Sequence, residues 1–179
     1  MNIPPVYQAT TIASAYDRID RLPVVVLLDQ VRSLYNVGSF FRTADAVRVQ
    51  KLLLSGITAA PPDARIGKTA LGAEQVVGWE RCGEPLAAAD GLRTENYQLA
   101  AVETTLHAVD LFDWLPTFPV CVIFGHEVAG IRPELLDRCD VHVRVPTLGL
   151  KQSLNVATAG GVVLYELLRK YRRLLEAGR

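Results

Sequence analysis

The sequence has little of what holds disulfide-stapled domains or metal centres together. It carries three cysteines in 179 residues, Cys82, Cys121 and Cys139. That is an odd number without metal-ligand spacing, which excludes a disulfide framework and leaves reduced thiols in a reducing compartment. Cys121 lies inside an apolar run and is expected in the core. His107, His126 and His142 are scattered along the chain, so no metal is expected. An excess of charge of one sign is also missing: 19 basic residues balance 19 acidic ones. No overall field then draws the chain to nucleic acid, and any such binding must come from local patches. Long hydrophobic runs are absent as well. Stretches such as Pro23 to Leu28 fall far short of the about 20 residues that span a bilayer. The opening MNIPPVYQATT lacks the basic-then-apolar order of a signal peptide. The expectation is a cytoplasmic protein without a membrane partner.

What is present is globular. Half of the residues are hydrophobic and 21% are charged, enough for one domain over residues 1–179 with a proper core. Buried-strand patterns appear at VVVLLD (24–29), KLLLSGI (51–57), YQLAAVE (97–103), FPVCVIFG (118–125) and DVHVRVP (140–146). Helical patterns lie between them. Phe40, Phe41, Ala44 and Val47 recur at three and four residues after Asn36, and Pro133 before Glu134, Leu135 and Leu136 reads as a first turn. The alternation predicts an α/β fold with a largely parallel sheet flanked by helices. In the last helix, capped by Ser153 or a neighbour, Leu164, Leu167, Leu168, Tyr171, Leu174 and Leu175 form a stripe opposite Glu166, Arg169, Lys170, Arg172 and Arg173. That stripe packs on its own sheet, meets a second subunit, or does both. Gly160 and Gly161 would let another backbone come close.

Three familiar patterns fail. PDARIGKT (62–69) ends like a phosphate-binding loop, but Pro62 stands where the leading glycine belongs. His126 and Glu127 resemble the start of a zinc-protease helix, yet Gly130 occupies the position of the second histidine. No G-x-G-x-x-G follows a strand, so the common dinucleotide fingerprint is absent.

Three others agree with one another. SLYNVGSFFRTADA (33–46) sits between the first strand and a helix that Asn36 can cap, with Gly38 allowing close approach and Arg42 six residues beyond Asn36. PVCVIFGHEVAGI (119–131) delivers Glu127 between Gly125 and Gly130 at the end of a buried strand. VPTLGLKQSLNVATAGG (145–161) brings Ser153 and Asn155 to a helix start, where free amides and the helix dipole favour a polar ligand.

N-x-G-x-x-x-R-T-A at 36–44, F-G-x-E-x-x-G at 124–130 and V-P followed by S-L-N-V within 145–156 together resemble the three signatures of the SpoU family of RNA 2′-O-ribose methyltransferases, in the SPOUT superfamily. The resemblance runs from about Val24 to Tyr171, and GKTALGAEQVVGW (67–79) also looks like small members of the family. It implies an α/β fold with a deep C-terminal trefoil knot, here roughly residues 119–160, a homodimer, and S-adenosylmethionine as cofactor. It also implies RNA as substrate, a compact tRNA feature favoured over rRNA. Cofactor contacts would come from Glu103, Thr104, Gly125, Val145, Pro146 and Leu154. The catalytic group would be Arg42, Asn36, Glu127, Ser153 and Asn155. In the family the arginine at the Arg42 position is placed at the 2′-hydroxyl and has been proposed as its base. An arginine is a reluctant base, so holding a phosphate or the developing alkoxide is the safer role. Glu127 would orient Arg42 or its counterpart in the partner subunit.

Two positions depart from the family pattern. His126 stands where asparagine or serine is commoner, and Thr147 where methionine is frequent. Residues 1–22 are expected to form only a short arm or helix, without the extra N-terminal RNA-binding domain that some relatives carry. Arg32, Arg42, Arg65, Lys68, Arg132 and Lys151 are candidate RNA contacts. The rival reading is a scaffold that binds S-adenosylmethionine and RNA with little or no catalysis.

Overall fold

A computed structural model of the chain describes Tyr16 and residues 18–178. The arm expected over residues 1–22 lies mostly outside the described residues. Its described end is anchored, because the Tyr16 hydroxyl donates to Asp45 at 2.8 Å and the Arg48 guanidinium lies 3.7 Å from the Tyr16 ring centre.

Seven strands form one sheet in which every pairing is parallel. In chain order the elements are β1 (Leu22–Asp29), α1 (Leu34–Val47), β2 (Val49–Ser55), α2 (Ala64–Ala70), a 3-10 turn (Ala73–Gln75) and β3 (Trp79–Cys82). There follow α3 (Pro85–Thr94), β4 (Gln98–Val102), β5 (Val109–Asp110), β6 (Val120–Phe124), α4 (Pro133–Leu136), β7 (Val141–Arg144) and α5 (Val156–Ala177). The strand order across the sheet is β3-β2-β1-β6-β4-β7-β5. The α/β expectation is met, and each of the five predicted strands exists with shifted ends.

The unbroken apolar runs follow from burial on both faces. Along β1, Val24, Val26 and Leu28 join the core under α1 and α5, which includes Phe40, Phe41, Phe124, Leu164 and Leu167. Their neighbours Val25 and Leu27 join Leu92, Leu99, Cys121, Ile123 and Leu135 on the opposite face, with α3 and α4. This is the period-two alternation of a strand, with both sides dry. Cys121 is fully buried, as expected.

PDARIGKT, which already fails as a phosphate loop, supplies most of α2, capped by the Asp63 carboxylate that accepts from the Arg65 amide. Other expectations change. Gly38 does allow a close approach, but to α2: a methyl group there would strike Thr69 and the Ile66 carbonyl. The last helix is capped by Asn155, whose side chain accepts from the amides of Ala157 and Thr158; Ser153 lies outside it. Glu166 is buried beside the stripe instead of opposite it. It is held by Arg169 at 2.7 Å and by Lys170 at 3.5 Å. Gly160 admits the Phe40 ring of α1, whereas a methyl group on Gly161 would meet only open space.

The topology fixes where a site belongs. From β1 the chain moves outward to β2 and β3, then crosses to build β4, β6 and β7 on the other side. Ligands of open parallel sheets bind at the carboxyl ends of the strands where this direction reverses. The residues there are 30–36 after β1, 103–104 after β4, 125–131 after β6 and 145–155 after β7.

Candidate functional site

The first motif enters α1 through Ser33, which is the cap instead of Asn36. That frees the Asn36 side chain from the cap position. Its amide nitrogen donates to Glu127 Oε1 at 2.9 Å, and its oxygen accepts from Asn155 Nδ2 at 3.2 Å. Glu127 also accepts from the backbone amides of Ser33 at Oε1 and Arg32 at Oε2, each at 3.0 Å. A carboxylate is acceptor-only, so it fixes which end of the Asn36 amide points back and leaves the carbonyl oxygen to meet Asn155. One relay, Asn155 to Asn36 to Glu127, therefore ties all three motifs together.

Partial burial pushes the Glu127 carboxyl up, but hydrogen bonds from the Arg32, Ser33 and Glu127 amides and from Asn36 outweigh it. The group is held below the usual carboxylate range. A carboxylate so well satisfied is a weak base and a firm anchor.

Behind it the loop is braced twice. Glu103, at the end of β4, accepts from the Thr104 amide at 2.9 Å and from the Ile131 amide at 3.1 Å. Asp29, at the end of β1 and 1% exposed, takes a bidentate pair from Arg132, Nε at 2.8 Å and Nη2 at 3.0 Å. Arg132 is thus a structural residue and not a free contact for RNA; Arg65 is likewise occupied, by Asp63. The side chains of Arg32, Arg42, Lys68 and Lys151 are exposed and make no hydrogen bond or ion pair among the described residues.

Arg42 stands apart from the relay. It is on α1, about 9 Å along the axis from Asn36 and about a third of a turn round it. Glu127 does not hold it within this chain. Its side chain belongs to the solvent face of α1, opposite Val37, Phe41 and Ala44.

Gly125 is tightly constrained for a reason other than the expected one. A methyl group there would collide with the carbonyl of Gly130, so valine at 125 would break the 125–131 turn itself. Loss of ligand binding in such a variant would not identify Gly125 as a contact.

The opposite wall is open. Residues 146–154 make no hydrogen bond among the described residues. Leu148 and Leu150 are fully exposed, Leu154 is 42% exposed, and Val145 and Pro146 are half-buried at the end of β7. Thr104 is exposed at the neighbouring end of β4. Unused amides beside aliphatic side chains suit the ring and ribose of a nucleoside. The donor set is wrong for a metal: His142 is spent between Thr105 and the Leu136 carbonyl, and no metal-holding cluster occurs among the described residues. Burial pushes all three thiols up, Cys139 to about 12 and Cys121 higher, which disfavours the nucleophilic thiolate. No helix among the described residues is long and apolar enough to cross a membrane.

Residues 23–165 match the model of the SpoU rRNA Methylase family. The tRNA (guanosine(18)-2′-O)-methyltransferase of Escherichia coli is 31% identical over 82% of this chain and 63% of its own length. A 23S rRNA (guanosine-2′-O-)-methyltransferase of Pseudomonas aeruginosa is 31% identical over 86% of this chain and 62% of its own. Among solved structures, the SpoU methyltransferase AviRb of Streptomyces viridochromogenes, in complex with the cofactor AdoMet, superposes with a TM-score of 0.75. It is 27% identical and covers 86% of this chain and 60% of its own. The chain spans about three fifths of the length of the curated relatives it matches.

Proposed function

Because the chain belongs to the SpoU rRNA methylase family, we propose that it transfers a methyl group from S-adenosylmethionine to a ribose 2′-hydroxyl of RNA. The observation that carries this reading is the relay from Asn155 through Asn36 to Glu127, which assembles the three motifs at the carboxyl ends of β1, β6 and β7. The residues of the open wall suit the cofactor, with Thr104, Val145, Pro146 and Leu154 against its adenosine and Glu103 bracing the turn at Gly125. When bound, S-adenosylmethionine supplies an electrophilic methyl group on a sulfonium.

The chain's own residues then have to raise the reactivity of an alcohol, which is a weak nucleophile at neutral pH. Asn36 and Asn155, locked by Glu127, orient the ribose. Arg42 holds the adjacent phosphate and stabilises oxyanion character as the hydroxyl proton leaves. Ser153, exposed just before the Asn155 cap, lines the same mouth. Arg42 faces outward, and that suits action across a dimer interface. α5 offers a surface for a second copy, with Tyr165 and Leu174 more than half exposed. The reading includes a single cytoplasmic domain whose residues 119–160 thread as a trefoil knot.

As substrate we favour tRNA over rRNA. Zero net charge and four free cations near the motifs suit a compact RNA feature better than an extended one. The test is to incubate the protein with methyl-labelled S-adenosylmethionine and separate pools of tRNA and rRNA. Label in tRNA is expected; label in rRNA alone overturns the preference. Cofactor binding with label in neither pool supports the scaffold instead.

A further inference from the structure

His126 is not an idle loop residue. Its backbone exchanges both hydrogen bonds with Gly130, N–H to O at 3.0 Å and O to N–H at 2.9 Å, closing the turn that carries Glu127. The ring then reaches over the turn: Nδ1 accepts from the amide of Val128 at 3.0 Å and from that of Ala129 at 3.2 Å. An atom that accepts two amide protons carries none, so the proton of the neutral ring must sit on Nε2.

We infer that His126 is a positioning residue, whose bare Nδ1 fixes the 126–130 turn and so aims the Glu127 carboxylate at Asn36. This rests on the proposed role of Glu127 and Asn36 at the substrate. The ring does what an asparagine oxygen does at the head of a turn, where it accepts from amides two and three residues on. The charged groups around the turn are Glu127 within it, Glu103 just after β4, and Asp29 at the end of β1 with its partner Arg132 at the start of α4. None of them hydrogen-bonds the ring. Val128 is 89% exposed, so without the ring its amide turns to water and the turn loses its single conformation. Glu127 would then be held only from the α1 side.

Two variants separate acceptor from bulk. His126→Asn keeps an acceptor, whereas His126→Phe keeps a ring and removes it. Turnover of His126→Asn is expected within about threefold of the parent. In His126→Phe, kcat falls about tenfold or more with the KM for S-adenosylmethionine unchanged. Independently of activity, nitrogen NMR of the parent should show His126 with unprotonated Nδ1 and protonated Nε2. Amide exchange at Val128 and Ala129 should be slow in the parent and in His126→Asn but fast in His126→Phe. A protonated Nδ1 in the neutral ring, exchange indifferent to the substitution, or His126→Asn failing as badly as His126→Phe overturns the inference. If the parent methylates no RNA, the proposed function fails, while ring tautomer and amide exchange still decide the role of His126.

Discussion

The two walls of the site are built in opposite ways. Around Glu127, almost every polar group is committed: its carboxylate to the Arg32 and Ser33 amides and the Asn36 side chain, Glu103 to two amides, Asp29 to Arg132, and the His126 ring to two more amides. Across from it, residues 146–154 commit nothing among the described residues and leave leucines in water. A wall that orients a reacting hydroxyl gains from groups fixed before substrate arrives. A wall that closes over a ligand has to keep its amides free until then. On the proposed function, the contrast separates residues that hold geometry from residues that would contact ligand.

The committed wall should break hardest. Arg132→Ala leaves the buried Asp29 carboxylate alone and should cost about 3 kcal/mol, read as a lower midpoint in denaturant titration. Arg42→Ala, next, should reduce turnover about 100-fold, with S-adenosylmethionine affinity by calorimetry and the folding midpoint both unchanged. Unchanged turnover would remove Arg42 from the site.

Glu127→Gln tests the anchor through pH. Because the folded carboxyl lies below its ordinary value, its stabilisation is fully present above the unfolded value. It is lost as pH falls through the depressed folded value. Melting temperatures of the parent and Glu127→Gln should therefore differ at neutral pH and converge only in acid below the usual carboxylate range. A difference that stays constant as pH falls through the carboxylate range would mean the carboxylate is unperturbed.

Asn155→Ala removes a helix cap and should cost about 1 kcal/mol, while also cutting the relay. Smallest of all, Leu150→Ser in the open wall should change the folding free energy by less than about 0.5 kcal/mol. The same variant should weaken S-adenosylmethionine binding, and it separates ligand contact from fold maintenance most cleanly.

The sequence was most legible where one physical signal dominated. The unbroken apolar runs of β1 and β6 mark strands dry on both faces, and the three motifs lie where the topology reverses. Weak signals hid other elements. β3, Trp79–Cys82, lies at an edge and carries two adjacent exposed charged residues that break any period-two alternation, and β5 is only two residues long. The caps were ambiguous locally, since Ser33 and Asn36 are both good capping residues. The choice is made by Glu127, 91 positions away, which claims the Asn36 side chain. Arg132 was indistinguishable from a solvated cation until the fold brought it to Asp29, 103 positions away. The histidine at 126 was legible only as a departure from a pattern; its function as an acceptor depends on the path of the turn.

The central claim is that the relay orients a ribose hydroxyl, and the position of the transferred methyl tests it most directly. RNA methylated with labelled S-adenosylmethionine would be hydrolysed with alkali, which cleaves only beside a free 2′-hydroxyl. The account predicts label in alkali-resistant dinucleotides, and its loss from them in Asn36→Ala and Asn155→Ala. Label released in single nucleotides, and so carried on a base, would contradict it.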